Sequence, residues 1–258
     1  MENKEIRLIE ELLLNSMPAM QTVLLDGWVL RMNRNYTYRA NCVCPMEDRP
    51  AADLSGKIKR CEELFDRNKL SCAFKVTPVL QKALFNFLPS LGYRNIKTVY
   101  AMRCALNAPL PPSGPKIIGS EAPDWDWLAC SARLAGITAP DLVSLHCMGI
   151  HNLAVRSAFA KAVLNGKTVG CGYGTVERGH VGLYGLHVEP NFRRGGIGTA
   201  ICRAILRYGS LHGAQAAYLI VHSENQKAIR LYLQMGFQKL YSYSFFEKKN
   251  TPYRIIDT

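Results

Sequence analysis

The strongest constraint on this chain is a twelve-residue junction, Val188 to Thr199, reading Val-Glu-Pro-Asn-Phe-Arg-Arg-Gly-Gly-Ile-Gly-Thr. An apolar strand pattern ends there and a helical one begins at once. Because Val188 comes just before Glu189-Pro190, the strand is expected to stop pairing at this point and to leave backbone groups free for a ligand. Arg193, Gly196 and Gly198 form an Arg-x-x-Gly-x-Gly spacing. Glycines reach positive φ and let N–H groups approach an anion, and the following helix adds unpaired N–H groups and the positive end of its dipole. On spacing alone, phosphate binding and a plain tight connection are equal readings.

The rest of the composition bounds the class. With 258 residues, 48% of them hydrophobic and no long polar tract, the chain is expected to be globular with one large or two small cores. No apolar run approaches the roughly 20 residues that span a bilayer, and the charged start (Glu2, Lys4, Glu5, Arg7) lacks a signal-peptide layout, so a cytoplasmic protein with no membrane partner is expected. Nine cysteines lie without paired spacing apart from Cys42 and Cys44, and they read as buried reduced thiols with no metal. The formal charge of +12 is spread evenly: residues 1–110 carry 16 Lys+Arg and 11 Asp+Glu, the remainder 16 and 9. That argues against a nucleic-acid arm and suits a polyphosphate cofactor or an acidic partner.

Periodicity places a helix over Glu2 to Asn15, strands over Thr22 to Met32 and Tyr36 to Val43 joined at Asn33-Arg34-Asn35, a helix from Asp53 to Asn68, and a strand at Ser71 to Val76. A helix from Val79 to Leu91 and a strand from Tyr93 to Leu106 complete the first half. After the stiff stretch Pro109 to Pro115, Trp125 to Ala135 reads as helix, and Ala139 to Ala154, with His146 and His151, has no clear pattern. Strands follow at Ser157 to Leu164 and Thr168 to Val176 around Asn165-Gly166, then at Val181 to Val188. A helix from Ile197, a strand at Ala216 to Val221, a helix from Asn225 to Met235 and a strand from Phe237 to Phe246 finish the chain. The second half repeats the order of the first, which implies two related modules: 1–108, a linker at 109–116, and 117–258. The first copy has Cys44 to Asp53 where the second has its glycines, so it is expected not to hold a phosphate in the same way.

These residues resemble the GNAT superfamily of acyl-CoA-dependent N-acyltransferases. Val188-x-Pro190-x-x-Arg193-Arg194-x-Gly196-Ile197-Gly198 is similar to its pyrophosphate loop, and Ala228-x-x-Leu231-Tyr232-x-x-x-Gly236-Phe237 to its closing helix and turn. The Asn165 to Gly170 hairpin matches its habit too, and the likeness covers residues 117–247. Gly27 to Arg31 and Arg39 to Asn41 resemble the degenerate half of bacterial tandem members. The resemblance implies an α+β or α/β fold class: two GNAT-like modules, each a mixed, mostly antiparallel sheet flanked by helices. It further implies an N-acetyltransferase that moves an acetyl group from acetyl-CoA, as co-substrate, to a primary amine of a small molecule or peptide. Backbone groups of Leu186, His187 and Val188 would hold the pantetheine arm, Arg193, Arg194, Gly195, Gly196, Ile197, Gly198 and Thr199 the pyrophosphate, and Asn225 the pantetheine. Tyr232 would be the general acid. The family often has a carboxylate on the strand before the loop, and Val181 to Val188 has none. Glu189, His187 and Tyr184 are the nearby titratable groups and the base stays unassigned. That gap motivates a second reading, a CoA-binding sensor without turnover. A homodimer is an open partner reading.

Overall fold

The structure is a computed structural model that describes residues 2–46, 53–77, 80–106, 114–248, 253 and 255. The elements in chain order are α1 (Glu2–Asn15), β1 (Gln21–Leu25), β2 (Trp28–Met32), β3 (Cys42–Pro45), α2 (Leu54–Arg67), β4 (Phe74–Val76), α3 (Lys82–Phe87) and β5 (Tyr93–Ala105). They are followed by β6 (Ile117–Ser120), α4 (Trp125–Leu134), α5 (Pro140–His151), β7 (Arg156–Leu164), β8 (Lys167–Glu177), β9 (His180–Val188), α6 (Ile197–Leu211), β10 (Ala216–His222), α7 (Gln226–Gln234) and β11 (Gln238–Lys248). The chain divides into two compact units. One takes Met1–Glu10, Met17–Tyr100 and Leu240–Thr258, the other Glu11–Ser16 and Ala101–Lys239. Neither unit is contiguous: most of β11, which sequence alone groups with the second half, pairs antiparallel with β4 through Ser244↔Val76 in the first unit. The linker expected at 109–116 lies largely outside the described residues.

In the first unit β1 and β2 form a hairpin, with Leu25 opposite Trp28. Its turn is Asp26-Gly27, both at positive φ (45° and 77°), the signature of a two-residue hairpin turn. The hairpin expected at Asn33 to Asn35 is therefore displaced. The strand expected at Tyr36 to Val43 is instead a 3-10 turn over Tyr38–Ala40 leading into β3. Asn41 explains the change. Fully buried, it accepts from the N–H groups of Asn33 and Asn35 (2.7 and 3.0 Å) and donates to the carbonyls of Tyr36 and Thr37 (2.6 and 3.0 Å), supplying bonds that a ladder would have supplied. Trp28, Leu30, Val43, Ile58, Phe65, Phe74 and Tyr93 form this unit's core. Beside it, the buried Lys75 ammonium meets Glu10 at 2.6 Å, and the Tyr241 hydroxyl donates to the same carboxylate at 2.6 Å.

In the second unit the strands lie in the order β10-β9-β8-β7-β6. β10 and β9 are parallel and the other neighbours antiparallel. The β7–β8 hairpin turns at Asn165 (φ 51°) and Gly166 (φ 75°), as their sequence predicts. Ala139 to Ala154 resolves into α5, opened by Pro140 in the first turn, where its missing N–H costs nothing.

Helix α6 is seated on β8 by interlocking residues. Gly170, Gly172 and Gly174 share one face of the strand, and Ile197, Ile201 and Ile205 share one face of the helix. A Cβ on Gly170 would lie 3.1 Å from Ile197, one on Gly172 3.0 Å from Ile201, and one on Gly174 2.3 Å from Ile205 and 2.8 Å from the Gly182 carbonyl. On β9, Val181 would sit 2.6 Å from a Cβ placed on Gly209 of the helix. The absent side chains thus set how closely the helix approaches the sheet. Gly174→Ala is expected to lower stability by about 1–3 kcal/mol through overpacking against helix and backbone. Thermal melts of the variant and the wild type check this.

Candidate active site

All the site residues singled out by sequence lie in the second unit, around the C-terminal end of β9. Strand β9 is bulged: its register with β8 jumps from Tyr173↔Tyr184 to Cys171↔His187, so that Gly185 and Leu186 together face Gly172. Gly185 takes φ 56°, within reach of a residue without a side chain, and a Cβ there would stand 3.3 Å from the Tyr173 ring. The bulge disturbs the ladder at Gly172, whose carbonyl accepts from the buried Trp127 indole N–H at 3.2 Å; the same N–H reaches the Ala160 carbonyl at 3.1 Å. Neither Gly185 nor Trp127 was picked out by sequence. An isolated glycine inside a strand pattern was the available signal for the first; the second had none.

Beyond the bulge β9 parts from β10. Their parallel register ends at Leu219↔Leu183, while β9 runs on to Val188 and β10 to His222. The Glu189 N–H bonds to the Val169 carbonyl on the β8 side at 2.8 Å. Backbone groups alternate along a strand, so those of Val188 and Leu186 turn the other way, toward the opening from which β10 has withdrawn. The side chains of Leu186 and Val188 come within 3.9 and 3.8 Å of the place a Cβ would take on Gly198, with Leu231 of α7 at 3.8 Å. Those are ordinary contact distances, so the protein's own packing does not require glycine at 198.

The loop follows. The Arg193 Nε–H donates to the Val188 carbonyl at 3.0 Å, which folds this exposed arginine back onto the strand end. Arg194 (φ 66°) and Gly196 (φ 79°) both take left-handed backbone, and Gly196 is the N-cap of α6 with no side chain to cap it. Ala200 N–H is bonded to the Gly196 carbonyl at 2.9 Å. The N–H groups of Ile197, Gly198 and Thr199, one turn earlier, have no partner within the helix and stand at its positive end. Splayed strands, a bare helix N-terminus and two arginines in one place fit a long ligand with an amide-bearing arm and a phosphate.

Asn225 lies at the head of α7 and is exposed; its Oδ1 accepts from Ala228 N–H at 3.1 Å, a helix cap that leaves the amide N–H₂ to donate. Tyr232, on the same helix, is buried with its ring edge-on to Phe237 at 6.0 Å. Burial, reinforced by the nearby Cys202 thiol, holds its pKa well above the usual phenol value, so the hydroxyl stays protonated. Two of the nearby titratable groups are committed elsewhere. The Tyr184 hydroxyl donates to Tyr218 at 2.6 Å, and burial raises its pKa well above normal. Glu189, with a side chain only 14% exposed, meets Arg133 of α4 at 2.7 Å and Lys167 of β8 at 2.8 Å. The Lys167 hydrogen bond pulls its pKa below the ordinary carboxylate value; burial opposes this, and Arg133 adds to the lowering. Among the described residues no three His, Cys, Asp or Glu side chains converge as a metal site, and no helix is long and apolar enough to cross a membrane.

The chain has recognisable relatives. A family profile described as "Probable histone acetyltransferase Rv0428c C-terminal" matches residues 3–246. "Uncharacterized N-acetyltransferase YobR" of Bacillus subtilis (strain 168) is 24% identical over 249 residues, 95% of this chain and 99% of that protein. In fold the chain is similar to a GCN5-related N-acetyltransferase from Kribbella flavida, with a TM-score of 0.73, 12% identity and 95% of each chain covered. It is also similar to a tandem GNAT protein from the clavulanic acid biosynthesis pathway, with a TM-score of 0.70, 13% identity, and 93% of this chain and 86% of that one covered.

The Glu189 ion pairs make a pH prediction. A depressed native pKa stabilises the fold above the unfolded carboxylate pKa, and that contribution is lost as pH falls through the native value. Glu189→Gln should therefore be less stable than the wild type near neutral pH. The gap should narrow below about pH 4.3, the unperturbed glutamate value, and vanish once both forms are neutral. Denaturant titrations at several pH values measure it.

Proposed function

The chain belongs to the GNAT superfamily of N-acetyltransferases, within the family of that histone-acetyltransferase-like profile, and from that premise we propose that its second unit transfers acetyl from acetyl-CoA to a primary amine. The observation that carries the reading is the parting of β9 from β10 beside the uncapped N-terminus of α6. In this reading the turned-out backbone of Leu186 and the Val188 N–H pair with the pantetheine arm, while the Val188 carbonyl stays with Arg193 and His187 between them faces β8, and Asn225 donates to the arm. The N–H groups from Arg194 to Thr199 take the pyrophosphate, assisted by the charges of Arg193 and Arg194. The amine attacks the thioester carbonyl, the C–S bond breaks, and the departing thiolate takes the Tyr232 proton. A phenol is neutral at about pH 7 and so carries the proton that this step needs.

Glu189 and Tyr184 do not suit the role of base, the first because two cations hold it ionised and the second because it is buried in a hydroxyl pair. The amine then loses its proton through water or arrives neutral. The proposed acceptor is a small-molecule or peptide amine, and the proposed setting is the cytoplasm.

The test is amine-dependent thiol release from acetyl-CoA across small amines, amino acids and peptides. Tyr232→Phe is expected to keep coenzyme affinity and lose on the order of 10²-fold in kcat, the scale of a general acid. Gly196→Trp should lose coenzyme binding itself. If the wild type binds acetyl-CoA and releases no thiol with any amine, the non-catalytic CoA sensor, favoured by the lack of a carboxylate on β9, takes its place.

A further inference from the structure

The two units repeat one arrangement: a parallel strand pair, a helix after its first strand and another after its second. In the first unit β3 and β4 are the pair, meeting at Val43↔Phe74, with α2 and α3 as the helices; in the second these are β9 and β10 with α6 and α7. The N-cap of the last helix is Gln81 in one and Asn225 in the other. Their side chains do opposite things.

Asn225 is exposed and bonds back to its own helix. Gln81 is buried and spans the ends of the strand pair. Its Oε1 accepts from the Thr77 N–H, just past β4, at 2.8 Å, and its Nε2 donates to the carbonyl of Pro45, the last residue of β3, at 3.0 Å. One carboxamide thus makes the donor and acceptor bonds that an inserted ligand amide would make. Only 6% of Gln81 and 1% of Thr77 are exposed, so the bridge is sealed from water. A second difference lies at the preceding helix. The N-cap of α6 is a bare glycine, whereas α2 is capped by Asp53, whose carboxylate accepts from the Gly56 N–H at 2.7 Å. That oxygen pair fills the space over the turn, since a Cβ on Gly56 would lie 1.8 Å from Asp53 Oδ2. A negative charge already sits where the helix would attract a phosphate.

We propose that the first unit carries its own substitutes for both parts of a coenzyme, the Gln81 carboxamide for a pantetheine amide and the Asp53 carboxylate for a phosphate, so that the whole chain takes up a single acyl-CoA. The inference rests on the reading of the second unit as the coenzyme site. It goes further than the missing glycines of the first half, because it names the groups that take the bonds a coenzyme would make.

Native mass spectrometry of the full chain with CoA, together with hydrogen exchange at the Thr77 amide, tests it. One CoA per wild-type chain and none in Gly196→Trp are expected. Thr77 should exchange slowly with or without CoA, and about tenfold or more faster in Gln81→Met, which keeps the bulk and loses both bonds. Two CoA per wild-type chain, or an unchanged Thr77 rate in Gln81→Met, would overturn the proposal and leave the second unit's function standing, whereas one CoA in both the wild type and Gly196→Trp would overturn the proposal and the second unit's function together. No uptake by the wild type, with Thr77 still slow, would fail the proposed function and agree with a closed first unit.

Discussion

The close approach of α6 to β8 is the contact on which the candidate site depends. A helix N-terminus attracts an anion only over its first turn, so its usefulness is set by where the helix is held. Here it is held by the fit of Ile197, Ile201 and Ile205 into the places where Gly170, Gly172 and Gly174 have no side chains. The same helix carries Gly198 against Leu186 and Val188. Packing, more than any polar bond, therefore brings the N–H groups of α6 beside the strand end.

The strand end needs its own support. A bulge and a parting of strands both leave backbone groups without ladder partners, and such groups are costly when buried. The Gly172 carbonyl is satisfied by Trp127 from α4, and the start of the loop is tied down by Glu189, held from α4 and β8 at once by Arg133 and Lys167. What remains open is the edge at Leu186 and the Val188 N–H, the Val188 carbonyl being held by Arg193. Helix α4, which carries no residue of the sequence motif, is thus what keeps the rest of the neighbourhood closed.

The two units show how little separates an open strand pair from a closed one. Both place a polar residue at the head of the helix after the second strand. The shorter Asn225 stays with its own helix, and the longer Gln81 crosses to the neighbouring strand. One added methylene is part of the difference in reach, and the other part is the surroundings, water in one case and a buried strand end in the other.

Much was legible in the chain itself. The loop at Arg193 to Gly198, the Asn165-Gly166 turn and the helices at either end of the second half follow from glycine's freedom, turn chemistry and apolar period, all of which act over a few residues. The hairpin at Asp26-Gly27 was legible by the same rule, yet the apolar stretches on either side of it, Val23 to Leu25 and Trp28 to Leu30, read as one long strand. Tertiary structure alone decided the rest. Whether Tyr36 to Val43 pairs as a strand depends on the buried Asn41, the placing of β11 beside β4 on a partner far away in sequence, and the ionised state of Glu189 on cations from α4 and β8. Local sequence sets backbone preference within a turn or two. Which groups meet across a sheet, and so which of them stay free for chemistry, is settled only when distant segments pack.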